Sequence, residues 1–311
     1  NELIVSIGEE PEAGFDATTD GHGSITRVFF STLFKRDKKL GFENDLATGY
    51  KVSDDKLTWT VTIRDDAKFT DGEKVTAQDV AFTYQTAKES GSEIDLTMID
   101  KITAKDDTTI EFKLNRTYSA FMERLAYLGI VPEHAYDENF KDNPIGSGPY
   151  EFVQWDKGQQ VIAKANENYY GDKPQIKQLT MVFLDTDAAY SAVQKGDVDV
   201  CQINGNLADK KVDGAKVIDI DSYGVEFPMQ KSGKKAKDGY DMGNNVTSDE
   251  AIRKALNTAV DRQKIVDGVL NGYGTVSTTG LEQMPWENKD AELSKDEYAN
   301  VDEAKKILAD G

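Results

Sequence analysis

The chain has 311 residues, which is long enough to bury a substantial core, and 38% of them are hydrophobic. Acidic residues outnumber basic ones by 56 to 37, and the resulting net charge of −19 argues against DNA or RNA as a partner. No stretch approaches the ~20 consecutive apolar residues of a membrane-spanning helix, and the single cysteine, Cys201, excludes an intrachain disulfide and any multi-cysteine metal site.

The first predicted elements are a short strand and a helix, separated by a polar, glycine-containing segment. Residues 3–7 predict an apolar strand, and residues 8–23 form the polar segment. A helix is predicted from Ser24, with a buried side formed by Val28, Phe29 and Leu33. Because ligands often bind in glycine-flanked loops that follow a strand, the loop before this helix is a candidate binding loop.

Residues 46–84 carry the clearest local signals in the chain. Apolar and polar residues alternate strictly over 57–64, which predicts a strand with one buried face. An Asp-Gly turn at 71–72 follows, and Thr76 with Asp79 three residues later predicts a capped helix start. The buried side of that helix is predicted to contain Val80, Tyr84 and Ala87.

A second hairpin is predicted at 99–114, with its turn at 106–107. Further along, residues 143–150 (NPIGSGPY) place two prolines and two glycines within eight positions. Such a density of backbone-restricting and backbone-freeing residues is typical of a chain crossing between domains.

Strands are predicted next at 150–155, 160–165 and 176–184. Asp185 or Thr186 then caps a helix that runs to Lys195, and residues 197–201 predict a further strand with Cys201 as a buried, inert thiol. This strand–helix–strand order indicates a parallel α/β unit, unlike the hairpins that precede it.

The C-terminal part is predicted to be helical. Thr247 with Glu250 predicts a capped helix whose apolar face contains Ile252, Leu256, Ala259 and Val260; Asp261 caps the next helix, and a last helix covers 301–308. Between the α/β unit and these helices, residues 231–237 hold four lysines, which we interpret as a solvated, glycine-containing loop.

The sequence contains few of the residue patterns that are typical of enzyme active sites. The two histidines, His22 and His134, lack metal-binding spacing, and there is no phosphate-binding glycine loop and no nucleophile elbow. We interpret His134 as a structural or surface residue, whereas His22 lies in the candidate binding loop. The sequence therefore indicates recognition rather than an enzyme, and no cofactor or metal site is expected.

Several segments together resemble one known family, the extracytoplasmic substrate-binding proteins of peptide and nickel ABC importers, often called family 5. The segments that carry the resemblance are LATGYKVSDD at 46–55, LTWTVTIRDDAKF at 57–69, TDG at 70–72, VTAQDVAFTY at 75–84, NPIGSGPY at 143–150, NYYGDKP at 168–174, AIRKALN at 251–257 and VDR at 260–262. They occur in the family's order and span most of the chain.

The resemblance implies an α/β, periplasmic-binding-protein-like fold of type II (a Venus flytrap), with an inserted α+β subdomain and an incomplete second lobe. Residues 1–40 and 151–246 would form a discontinuous core lobe, residues 41–150 the inserted subdomain, and residues 247–311 the start of a truncated second lobe. On the same resemblance residues 223–230 form a core strand, in which Met229 replaces the family's usual asparagine.

The resemblance also implies a receptor that captures an oligopeptide or dipeptide outside the cytoplasmic membrane, in the periplasm or as a cell-surface lipoprotein. It would be a monomer that delivers its ligand to ABC permease subunits, with membrane attachment only through an N-terminal anchor. The residues carried over as ligand contacts are Thr19, Asp20, Gly21, His22, Tyr118, Phe121 and Phe227. A receptor for a nickel chelate or another small solute, an extracytoplasmic hydrolase, and an ordinary surface loop at 19–22 stay open as alternatives.

Overall fold

A computed structural model describes residues 1–19, 26–90, 94–203, 207, 224–236, 239–279, 287–291, 293 and 297–310. The chain forms two compact units, residues 1–202 and residues 203–311. None of the described helices is both long enough and apolar enough to cross a membrane.

The first unit contains ten strands and four helices among its described residues. Its strands are β1 (Glu2–Ser6), β2 (Phe34–Arg36), β3 (Phe42–Asn44), β4 (Ala47–Val52), β5 (Thr58–Ile63), β6 (Ile99–Asp106), β7 (Thr109–Leu114), β8 (Tyr150–Asp156), β9 (Gln160–Ala165) and β10 (Gln178–Val182). Its helices are α1 (Thr26–Phe29), α2 (Ala77–Ser90), α3 (Phe121–Tyr127) and α4 (Thr186–Lys195), with short 3-10 turns at Glu133–Ala135 and Phe140–Asp142.

One sheet of this unit has the strand order β4-β5-β7-β6, and each pair of neighbouring strands in it is antiparallel. The alternation predicted for 57–64 is confirmed, because Val61 and Ile63 are buried and Trp59 is partly buried on the same face. Helix α2 contributes the predicted Val80, Tyr84 and Ala87 to the same hydrophobic cluster. The first sheet and helix α2 thus share one hydrophobic core, to which Leu33 and Phe34 also contribute.

The second sheet of the unit has the order β1-β10-β9-β8, with β1 and β10 parallel and the other pairs antiparallel. A separate hydrophobic cluster lies against it, built around Phe15, Phe29, Phe30, Val161 and Met181. The predicted strands at 150–155, 160–165 and 176–184 are confirmed, and so is helix α4, which Asp185 caps and Gly196 ends.

The strand predicted at 197–201 is reduced to one parallel bridge between Val200 and Val5. The Asp199 carboxylate accepts a hydrogen bond from the backbone N–H of Ile4 at 2.8 Å. This N–H of β1 therefore bonds to a side chain instead of to a backbone carbonyl of the neighbouring segment. Cys201 is half-buried rather than buried, and this burial raises the pKa of its thiol.

The helix predicted from Ser24 through Leu33 is much shorter, since α1 covers only Thr26–Phe29 within the described residues. The carbonyl of Phe29 accepts a hydrogen bond from the N–H of Gly148 at 2.8 Å, which diverts it from any continuing helix. Leu33 is buried in the cluster of the first sheet instead.

The second unit contains α5 (Glu250–Ala259), α6 (Arg262–Val269) and α7 (Val301–Asp310), with a 3-10 turn at Lys289–Ala291. Asp261 caps α6 as predicted, but the N-cap of α5 is Asp249 and not Thr247. The carboxylate of Asp249 accepts from the N–H of Ala251 at 2.8 Å, whereas the Thr247 hydroxyl donates to the carbonyl of Pro228.

The predicted apolar face of α5 is only partly covered within this unit. Ala255 is buried, while Leu256 and Val260 are each 40% exposed. The predicted strand at 223–230 is wrong over its described residues 224–230, which form no ladder, and Met229 is 71% exposed. The predicted lobe boundaries stay predictions.

Candidate functional site

The segment that leads into the candidate binding loop is tied to a distant part of the first unit. Phe15 donates its backbone N–H to the carbonyl of Lys141 at 2.8 Å. Gly14, just before it, has φ +76, and a Cβ there would lie 2.6 Å from the same carbonyl oxygen. Only glycine fits a left-handed position with this close approach.

An aromatic group holds the same segment against the second sheet. The ring of Phe15 lies 5.8 Å from Phe29 and 4.9 Å from Trp155, both edge to face. Trp155 in turn donates its indole N–H to the Glu10 carboxylate at 2.7 Å. Since Phe15 precedes the loop and Phe29 follows it, the two stems of the loop meet at one packed cluster.

A buried polar network fixes the last residues before the loop. Asp16 is 7% exposed and Thr18 is fully buried. The Asp16 carboxylate accepts from the Tyr136 hydroxyl at 2.6 Å, and from the hydroxyl and backbone N–H of Thr18 at 2.9 Å each. Burial and the bond to Asp16 raise the pKa of Tyr136 to about 12, so that its hydroxyl remains a donor at neutral pH.

Of the predicted contact residues in the loop, Thr19 is exposed and closes a turn on Asp16, with its hydroxyl 3.2 Å from the Asp16 carbonyl. Asp20, Gly21 and His22 lie outside the described residues. After the loop, Arg27 donates a guanidinium N–H to the carbonyl of Ala126 at 3.4 Å. The loop therefore begins and ends on residues that are held in place.

The other three predicted contacts belong to different units, Tyr118 and Phe121 to the first and Phe227 to the second. Tyr118 is partly buried at the edge of the first-sheet cluster, where its hydroxyl meets Arg124 at 3.5 Å. Phe121 is fully buried between Trp59 and Phe112, so that its ring is part of the core and offers no surface. Phe227 is half-buried in the second unit.

The sequence analysis missed Asp16, Thr18 and Tyr136. Asp16 and Tyr136 are 120 positions apart, and neither belongs to a short motif. The structure also pairs His134 with Asp71 at 2.7 Å, which agrees with a structural role for that histidine. Among the described residues, no three His, Cys, Asp or Glu side chains converge in a way that could hold a metal ion.

Replacing Tyr136 by Phe removes the hydroxyl that donates to Asp16 while keeping the ring. We expect the free energy of unfolding to fall by about 1.5 kcal/mol, because a buried carboxylate loses a hydrogen bond. Urea denaturation measures this change. Tyr150→Phe is the matched control, because the Tyr150 hydroxyl has no hydrogen bond in the described part of the chain. Equal losses in the two variants would contradict a special role for the network.

Comparison with known proteins gives a consistent result. The model of the bacterial extracellular solute-binding proteins, family 5, matches residues 41–311. Protein XP55 of Streptomyces lividans is 33% identical over 309 residues, which cover 94% of this chain and 55% of that protein. The oligopeptide-binding protein AppA of Bacillus subtilis (strain 168) is 31% identical over 330 residues, covering 99% of this chain and 58% of AppA.

Solved structures extend the similarity to the fold. The crystal structure of NikZ from Campylobacter jejuni in complex with Ni(L-His) superposes with a TM-score of 0.78 at 27% identity, covering 99% of this chain and 62% of that one. The structure of AppA with a nonapeptide gives 0.76 at 29% identity, covering 100% of this chain and 64% of that one. Over the part it spans, the chain has the mixed α/β fold of these binding proteins, and it covers 55% and 58% of the length of the two curated relatives.

Proposed function

This chain belongs to family 5 of the bacterial extracellular solute-binding proteins, and on that premise we propose that it is the substrate-binding component of an ABC importer. It captures an oligopeptide or dipeptide outside the cytoplasmic membrane, as a monomer, and delivers it to the permease without transforming it. The lobes expected at 1–40 with 151–246, and from 247 onward, would enclose the ligand.

The observation that carries the peptide assignment is the similarity to AppA, a protein named for oligopeptide binding. This similarity extends over 99% of this chain. The similarity to NikZ, whose structure holds Ni(L-His), makes a nickel chelate the rival ligand. The chain has two histidines, and His134 is paired with Asp71. Few histidines are therefore available to contact a metal directly, which supports a peptide.

Within this proposal, the loop at 19–22 contacts the ligand. Extended peptides are often bound as an added strand through backbone hydrogen bonds, and such recognition needs a loop whose ends do not move. The Asp16–Tyr136 bond at 2.6 Å before the loop and the bond from Gly148 to Phe29 at 2.8 Å after it supply fixed ends. His22, Asp20 and Gly21 are proposed contacts on this basis.

Isothermal titration calorimetry with a dipeptide, a pentapeptide, a nonapeptide and Ni(L-His) tests the proposal. We expect saturable heat with at least one peptide and none with Ni(L-His). His22→Ala should weaken peptide binding by about tenfold, or about 1.4 kcal/mol, whereas the matched variant His134→Ala should bind like the parent. Saturation by Ni(L-His) with no response to peptides would replace the peptide by the chelate as ligand.

A further inference from the structure

A lysine-rich loop in the second unit has a defined shape and contains none of the proposed ligand contacts. We call residues 231–243 the basic loop; its residues 237 and 238 lie outside the described part of the chain. Lys235 and Asp241 form an antiparallel bridge. On either side of it, Ala236 donates its N–H to Tyr240 and Met242 donates its N–H to Lys234, both at 2.8 Å.

One carboxylate closes the base of the basic loop. Asp241 accepts hydrogen bonds from the hydroxyl of Ser232 at 2.7 Å and from the N–H of Gly233 at 2.9 Å. These bonds lower the pKa of Asp241, the one to Ser232 having the largest effect. The loop is thus organised by its own contacts before any partner arrives.

The pairing of the two short segments determines on which side of the basic loop each side chain lies. Since neighbours along a strand point to opposite sides, Lys234, Tyr240 and Met242 share one side of the bridge. Tyr240 is 76% exposed and Met242 is 49% exposed. A cationic side chain flanked by an exposed aromatic and an exposed thioether is the combination that suits a membrane–water interface.

The basic loop differs in charge from the chain as a whole. The loop has four lysines and two aspartates in a chain of net charge −19. Lys231, Lys234 and Lys235 are exposed, and none of them makes an ion pair with a described residue. Because charges farther than a Debye length of about 8 Å are screened at physiological salt, a surface touching the loop would meet mainly its lysines.

We propose that the basic loop docks on an anionic membrane surface through the edge of its bridge, so that Lys234 on one face and Lys235 on the other reach the lipid phosphates together with Lys231. Tyr240 and Met242 would then lie at the level of the headgroups. Anionic lipids attract each exposed lysine near the surface strongly enough to change partitioning about fivefold. The proposal does not depend on which solute the chain binds.

Flotation of the whole chain with vesicles tests this docking, using equal parts of phosphatidylglycerol and phosphatidylcholine, and phosphatidylcholine alone, at about 0.15 M salt. We expect binding to the anionic vesicles only. The triple variant Lys231→Gln, Lys234→Gln and Lys235→Gln should lower the partition coefficient by about a hundredfold. A matched triple variant with the same change in net charge, Lys51→Gln, Lys101→Gln and Lys113→Gln, replaces exposed lysines of the first unit and should bind like the parent.

A second variant separates the interfacial contact from the charge. Tyr240→Ser with Met242→Ser should lower partitioning by about tenfold while leaving its salt dependence unchanged. Absence of binding to the anionic vesicles, or equal losses in the two lysine triple variants, would overturn the proposal. Retention on immobilised polyglutamate without vesicle binding would also overturn it, in favour of an acidic protein surface.

Discussion

Replacing Gly148 by Ala should destabilise the first unit by about 3 kcal/mol or more. A Cβ at this position would lie 2.6 Å from the carbonyl carbon of Phe29, 2.7 Å from its oxygen and 2.8 Å from the N–H nitrogen of Phe30. All three atoms belong to the backbone, so the clash cannot be relieved by turning a side chain. The bonds from Gly148 to Phe29 at 2.8 Å and from Asn166 to Gly148 at 2.9 Å would be strained together.

The neighbouring Ser147→Ala variant is the matched control. Ser147 is fully buried, and its hydroxyl has no hydrogen-bond partner in the described part of the chain. Removing an unsatisfied buried hydroxyl should change the free energy of unfolding by less than about 0.5 kcal/mol, or stabilise the unit. Urea denaturation followed by tryptophan fluorescence measures both variants. A loss for Ser147→Ala as large as that for Gly148→Ala would show that the segment at 143–150, which we call the crossover, is simply sensitive to any change.

The crossover matters because it joins the two cores of the first unit. Ile145 packs against both hydrophobic clusters, and Thr70 donates its N–H to the carbonyl of Gly146 at 2.9 Å. Phe29, whose carbonyl accepts the hydrogen bond from Gly148, ends the short helix that follows the loop proposed to bind ligand. A shift at Gly148 should therefore weaken peptide binding as well as stability.

Replacing Asp79 by Ala should cost about 3 kcal/mol. Its carboxylate is 6% exposed and satisfies donors from two segments. It accepts from the N–H and hydroxyl of Thr76 at 2.9 and 2.7 Å, and from the N–H of Glu133 at 3.0 Å. The variant removes the carboxylate half of the capping box and leaves the N–H of Glu133 without its partner.

Asp185→Ala provides the comparison for Asp79→Ala. Asp185 is an exposed N-cap that accepts from the N–H of Ala188 at 2.8 Å, and its loss should cost about 1 kcal/mol. Urea denaturation of the two variants separates capping alone from capping combined with a long-range bond. Similar losses would mean that the bond to Glu133 contributes little.

The local elements could be predicted because their signals lie within a few residues. The alternation at 57–64, the Thr76–Asp79 capping box and the helix between Asp185 and Gly196 all appear in the structure. The cap predicted for α5, Thr247, is wrong by two positions. Asp249 is adjacent to the first turn of α5, whereas the Thr247 hydroxyl donates a hydrogen bond to the carbonyl of Pro228.

The remaining differences arise from partners that are distant in sequence. The end of α1 depends on Gly148, and the missing strand at 197–201 depends on the Asp199 bond to Ile4. The network that fixes the candidate loop joins Asp16 to Tyr136 across 120 positions. No periodicity or short motif indicates such pairings, so the sequence predicts where the loop is and not what holds it.

We propose that the chain holds a peptide reversibly and leaves it unchanged. Equilibrium dialysis against a binding peptide, followed by mass spectrometry of the peptide recovered from the complex, tests it most directly. We expect the peptide to be concentrated on the protein side and recovered at its full mass after prolonged incubation. Steady accumulation of cleavage products, or no retention of any peptide, would contradict the account.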